Sequence, residues 1–237
     1  MAILIAFSVA ASAFAASESA FTRIADGFDF PVGNANGDGY YKARGYRPNG
    51  HLGEDWNGKL GGDTDLGDPV YAIGNGVVVL ARNMRRGWGN VVIVRHAYFE
   101  EGTIRYIDSL YGHLHQINVR EGQKVSRRQN IGSIGNNFGM YNAHLHFEIR
   151  KNLEIGMRRA SFARDSSNYY DPTTFIAAHR AVSGGPNRTT VAMNTFVETG
   201  TDSAPSGGSS ASASRRRANV KMSITATYQD LKVKQFR

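Results

Sequence analysis

Hydrophobic positions along this chain recur mostly in short runs, not in long helical stripes. From Pro69 onward the runs are "VYAIGNGVVVLAR", "NVVIVRHAYF", "TIRYIDSLYGHL", "IGSIG" and "HLHFEIR". Each is rich in Val, Ile, Tyr or Phe and is bounded by Gly or Asn, the pattern of short strands. The "GNG" at 74–76 reads as a hairpin turn between two of them. Residues 28–50 are crowded with Gly, Asn and Tyr and read as an irregular loop. A helix is signalled at "DPTTFIAAHRAV", where Asp171 can cap the first turn and Pro172 can open it. The fold class expected is mainly β and antiparallel, with a short C-terminal helix, over residues 28–180. Residues 181–237 read as a Gly/Ser-rich linker ("TGTDSAPSGGSSASAS") and a basic tail, flexible by composition.

The first 15 residues change the picture of where the chain works. "MAILIAFSVAASAFA" is apolar, ends in small residues, and is too short and too interrupted by Ser8 and Ser12 to span a bilayer. It reads as a signal peptide cleaved after Ala15, although no basic residue precedes it and the first is Arg23. Export implies an extracytoplasmic location, in the periplasm or cell envelope or secreted, with no integral membrane span after cleavage. A monomer is expected.

Composition then narrows the chemistry. The 237 residues include no cysteine, which excludes a disulfide scaffold, a Cys-rich zinc module and a cysteine nucleophile. His, Asp and Glu remain as metal ligands. The net charge is +8, but seven basic residues and a single acid follow Ser203, so the rest of the chain carries about +2. The high pI belongs to the tail, and no nucleic-acid partner is expected for the main domain.

Three segments carry the candidate chemistry. In "AHLHFEIR" (143–150), His144 and His146 lie two apart, so an extended strand projects both from one face, with Cα atoms roughly 6.5 Å apart. Leu145 and Phe147 then face the core. Such a pair can bind metal, or divide metal binding and proton transfer between them, or simply line a polar face. In "GHLGEDWNG" (50–58), His51 and Asp55 lie four apart, and the surrounding glycines favour a strand end or loop over a helix. Two imidazoles and a carboxylate are the protein ligands of a catalytic zinc site that keeps its fourth position for water. In "LYGHLHQI" (110–117), His113 and His115 are again two apart.

Several residues are set aside. His115 reads as structural, and His96 and His179 as ordinary. "NANGDG" and "DTDLGD" echo a calcium loop, but Gly45 and Gly74 occupy the twelfth positions where a Glu is needed, so both read as turns. Glu54 and Glu148 sit beside the motifs with a parity expected to point them off the site.

Taken in order, the three segments resemble the lysostaphin-type (LytM-like) zinc metallopeptidases, murein endopeptidases that cut peptides of bacterial cell walls. The resemblance covers roughly residues 47–175. It includes "GDPVYAIGNGVVV", "GWGNVVIVRH", "VREGQKVSRRQNIGSIGNN" and the closing "YYDPTTFI". It implies a substrate groove formed by the sheets and one Zn2+ per chain, held by His51, Asp55 and His146. It implies His113 and His144 as catalytic histidines that do not bind the metal, and peptidoglycan peptides, in the stem or the cross-bridge, as substrate. The chain has no HExxH segment to supply a glutamate base, so those two histidines are the natural acid–base groups. One departure is Ala143, where the family usually has proline. The alternative is an inactive regulatory protein of the same fold that activates another wall hydrolase; retention of all five motif residues favours the enzyme.

Removing the tail before Ser203 should leave turnover of a small soluble peptide intact, because that composition buries no core. Binding to isolated cell wall at low salt should weaken, since the tail carries most of the excess charge and salt screens it. Peptide turnover checks the first and co-sedimentation with wall at two ionic strengths the second; an insoluble truncated protein would make the tail structural.

Overall fold

The computed structural model describes residues 18–157 and 167–196. The expected signal peptide (1–15) and the linker and tail from residue 197 lie outside them. In chain order the strands are β1 (Ser19–Arg23), β2 (Tyr40–Arg44), β3 (Glu54–Gly58), β4 (Pro69–Tyr71), β5 (Gly76–Asn83), β6 (Asn90–Glu100) and β7 (Thr103–Leu114). They continue as β8 (Gln116–Ile117), β9 (Lys124–Val125), β10 (Asn130–Ser133), β11 (Leu145–Arg150), β12 (Tyr169–Tyr170) and β13 (Arg188–Ala192). A 3-10 turn covers Arg86–Trp88, and helix α1 covers Pro172–Ala178, with the Asp171 carboxylate accepting from Thr174 N at 2.9 Å as a cap should. No helix among the described residues is long and apolar enough to cross a membrane.

The antiparallel β expectation holds. One large sheet runs β2-β3-β11-β7-β6-β5-β9, with β12 beside β11. A small sheet, β4-β10-β8, packs against it, and a two-stranded sheet joins β1 to β13. The long β6–β7 hairpin turns at Glu101-Gly102, both with positive φ (50° and 78°), the backbone that a tight two-residue turn requires.

Two local readings need correction. The "GNG" stretch is not a hairpin turn. β4 pairs with β10 whereas β5 pairs with β6 and β9, so Gly74–Gly76 carries the chain from the small sheet to the large one. Asn75 fixes that crossing: its side chain donates to Ile24 O (3.2 Å) and accepts from Arg127 N (3.0 Å). Residues 28–50 are not wholly irregular either, because β2 forms the edge of the large sheet.

The run "VVIV" in β6 lacks polar alternation because both faces of that strand are covered. Val92, Val94 and Tyr98 join a core with Phe28, Ile73, Tyr111, Phe147 and Phe175. Val91, Ile93 and Ala97 join a second core with Leu110, Val191 and Met193. Val191 and Met193 come from β13 and the residues after it, and β13 is held by β1. The folded unit thus takes in Ser19–Arg23 and Arg188–Ala192, which the expected bounds 28–180 leave out. Burying Val191 contributes roughly 1.5–3 kcal/mol. Arg95 reinforces the closure: fully buried, it grips Asp108 through two bonds (2.8 and 2.7 Å) and donates to Ala192 O (2.6 Å) and Leu153 O (3.0 Å).

His96 is buried between the sheets. Its Nδ1–H donates to Asn75 O (2.9 Å), and Nε2 lies 2.8 Å from Ser109 Oγ. Burial pushes its pKa down from 6.5 to about 4, outweighing the bond to Asn75. The unfolded chain therefore binds the proton more readily. The stability contributed by neutral His96 is complete above pH 6.5 and is lost as the pH falls toward 4, by about 3 kcal/mol. Urea unfolding at pH 7 and pH 4 should show the wild type losing that much more stability over the interval than His96→Asn.

Candidate metal centre and cleft

The pairing of β3 with β11 sets Asp55 directly opposite His146. Opposite residues of an antiparallel pair share a face, and the side chains meet: Asp55 Oδ1 is 2.8 Å from His146 Nδ1. The strands approach closely at Gly53, where a Cβ would sit 2.4 Å from Phe147 O. His51 enters from the preceding turn, fixed by Arg47 N donating to His51 O (2.7 Å). Its Nε2 lies 3.1 Å from Asp55 Oδ1 and 3.2 Å from His146 Nδ1. The three residues thus form a group able to hold a metal ion, two of them buried and Asp55 half-buried.

The donor set fits a zinc-type ion on its own chemistry. Tetrahedral bonds of about 2.05 Å imply ligand–ligand edges of roughly 3.3 Å, close to the three edges here. The outer nitrogens fix the tautomers. His51 Nδ1 lies 3.1 Å from Gly45 O, and His146 Nε2 lies 2.8 Å from Glu148 Oε1; both partners only accept, so both nitrogens carry the hydrogen. Two lone pairs and a carboxylate then converge on one point, an arrangement that a cation relieves. The electrostatics agree. Burial would raise the Asp55 carboxyl, but its bonds to His146 and His51 hold it well below the usual carboxylate range. Burial would lower the His146 imidazole, yet Asp55 and Glu148 raise it, so the pocket favours positive charge.

Beside this group lies an open cleft of about 560 Å3. His113 reaches it by an irregularity: Asn90 pairs with Leu114 and Val92 with Tyr111, so Gly112 and His113 together oppose Val91. At this bulge His113 adopts φ 61°, a conformation uncommon for a residue with a side chain. Alternation would send His113 to the Tyr111 face, toward the core; the bulge turns it into the cleft. Its Nδ1–H donates to Trp88 O (3.3 Å), and the His144 Nδ1–H donates to Asn142 O (2.7 Å), leaving each Nε2 as an acceptor. The two rings lie 4.9 Å apart, and His113 is 5.7 Å from the His146 ring. Burial, then the neighbouring His146 and His144, push the His113 pKa down to about 3, so it is neutral at neutral pH. Trp88 stacks on His113, and Tyr141 packs on both His113 and His144.

All five residues singled out in the sequence come together here. His115 does not: it is exposed, one residue past the end of β7, where its N–H donates to Ser133 O (2.9 Å). Glu54 points away, fully buried and bonded to Trp56 Nε1 (3.0 Å) and Thr173 Oγ1 (2.7 Å). Glu148 corrects the expectation that it points off the site. It lies two residues from His146 on the same strand face and, itself fully buried, accepts from that ring; parity read from His146 would have found it. Its other oxygen accepts from Arg150 Nε (2.8 Å), and Arg150 Nη1 donates to Gly156 O. The "DTDLGD" stretch is a turn, in which Asp65 accepts from Gly58 N (2.8 Å) and Asp63 from Ala143 N (2.6 Å). Trp88, Tyr141 and Arg44, which also line the cleft, carried no signal in spacing or motif.

Comparison with known proteins identifies the family. The sequence profile of peptidase family M23 matches residues 50–156. Lipoprotein NlpD of Yersinia enterocolitica is 38% identical over 84 residues, 35% of this chain and 78% of that protein. The chain belongs to peptidase family M23. Within M23, it is 43% identical over 84 residues, 35% of its length, to peptidoglycan DD-endopeptidase ShyA of Vibrio cholerae. That match spans 18% of the Vibrio protein, and the chain covers less than a third of the first curated relatives, 16% to 31%. The catalytic domain of lysostaphin from Staphylococcus simulans is 30% identical over 58% of this M23 chain and 92% of that domain, with a TM-score of 0.43.

Glu148→Gln should weaken binding of added zinc by roughly 10–100-fold, because the amide no longer fixes the His146 tautomer as a carboxylate does. Competition with a chromogenic chelator measures this directly; unchanged affinity would reduce Glu148 to a packing role.

Proposed function

We propose that this chain is a zinc-dependent endopeptidase that hydrolyses peptide bonds in bacterial cell-wall peptidoglycan. The observation that carries the reading is the triangle of His51 Nε2, Asp55 Oδ1 and His146 Nδ1 beside two further histidines on an open cleft. In this reading His51, Asp55 and His146 hold one zinc ion per chain. Bound there, zinc polarises a carbonyl and acidifies water. The rest is the work of side chains. His113 and His144, their Nδ1 hydrogens committed to carbonyls, take up and return a proton at Nε2, between the water that adds to the peptide carbonyl and the departing amine. Trp88 and Tyr141 wall the cleft and hold both rings in place. Glu148 keeps the His146 ring turned toward its partners.

The family membership supports hydrolysis, as does the Vibrio relative named a peptidoglycan DD-endopeptidase. Relatives named as lipoproteins and as a peptidoglycan endopeptidase support action in the envelope, outside the cytoplasm. A second reading has its own support: the Escherichia coli relative named murein hydrolase activator NlpD is 38% identical over 84 residues. An activator needs the cleft as a surface but not the proton-transfer pair, so the variants separate the two.

Replacing His51, Asp55 or His146 with Ala should cost both bound zinc and activity. Replacing His113 or His144 should leave zinc bound while turnover falls by ~10²-fold or more. Metal content and turnover of purified peptidoglycan, measured together for each variant, test the division. Loss of zinc from His144→Ala with retention in His146→Ala would invert the ligand assignment. Chelator-insensitive inactivity of the wild type on wall would favour the activator.

A further inference from the structure

Arg44 stands at the cleft for a reason visible in the strand pairing. β2 meets β3 with Tyr40 opposite Gly58, Tyr41 opposite Asn57 and Lys42 opposite Trp56. Regular pairing would then put Ala43 opposite Asp55. The register shifts instead, and Arg44 takes that place. Opposite residues share a face, so the inserted residue moves Arg44 from the Trp56 side of the sheet to the Asp55 side. Lys42, before the shift, stays on the Trp56 side and reaches Glu54 Oε1 at 3.4 Å. A bulge that re-aims one side chain is a recurrent device beside active sites.

Once in the cleft, the guanidinium has nothing to hold. Arg44 is exposed, and among the described residues its side chain makes no ion pair or hydrogen bond. Asp55, the acid opposite, is committed to His51 and His146. Arg44 is the one fixed cation among the described lining residues. A guanidinium without a side-chain partner in a cleft draws anions in.

We propose that Arg44 binds a free carboxylate of the substrate, so that the peptides taken carry a carboxylate near the scissile bond. This rests on the peptidase reading and names its substrate class. A guanidinium suits the role, since its planar fork matches a carboxylate with two parallel bonds.

The test uses the zinc-loaded protein and a cross-linked stem-peptide dimer, once with free carboxylates and once with them amidated. Calorimetric binding and turnover are both measured. The wild type should prefer the carboxylate form by roughly tenfold or more, the usual worth of a charge-assisted bond. Arg44→Gln should treat the two forms alike, and Arg44→Lys should keep part of the preference. End-capped oligoglycine should bind weakly to wild type and variant equally. A wild type indifferent to amidation, or an Arg44→Gln that still discriminates, overturns the proposal. Discrimination in binding without hydrolysis of either dimer would leave the Arg44 assignment standing and remove the peptidase reading.

Discussion

The contact on which the site depends is the register of β3 against β11, which sets Asp55 opposite His146. Side chains alternate with a period of two, so a slip of one residue would exchange every partner on β11. His146, Glu148 and Arg150 would turn into the core, and Leu145, Phe147 and Ile149 would turn out of it. Neither face would tolerate the exchange. The apolar set is fully buried, and the polar set would be left without the partners that make its burial affordable. Packing on one face of the sheet thereby specifies chemistry on the other.

The polar face is itself a chain of buried charges. His146, Glu148 and Arg150 follow one another along β11, and Asp108, opposite Arg150, is gripped by Arg95. Pairs of this kind contribute little net stability when whole and cost several kcal/mol when broken. Their geometry is what they supply: Arg150 holds the loop at Gly156, Arg95 holds β13, and Glu148 holds the ring of His146. The same groups that close the second core thus end at the metal-binding group.

The sequence was most legible where alternation was unbroken. The β runs, the capped helix and the common face of His144 and His146 follow from local rules. Three kinds of feature did not. β1 and β13 are short and far apart in the chain, and their pairing is decided by the uncovered face of β6, a tertiary demand that no local window contains. Strand irregularities at 42–44 and 112–113 invert parity, so neither the place of Arg44 nor the turn of His113 into the cleft follows from alternation. Glu148 was missed although the parity that unites His144 and His146 extends to it. The division between ligand and catalytic histidines came from resemblance to a family, because spacing treats both members of HLH alike.

The irregularity in β2 has a second effect, on solubility. β2 ends the large sheet, and a straight terminal strand offers its free backbone groups to any other extended chain. Here the outer strand is broken by one extra residue and carries Lys42 and Arg44 within three positions. Kinks and cations are the means by which folded proteins deter edge-to-edge association. The residue that aims an arginine into the cleft also denies neighbouring molecules a template.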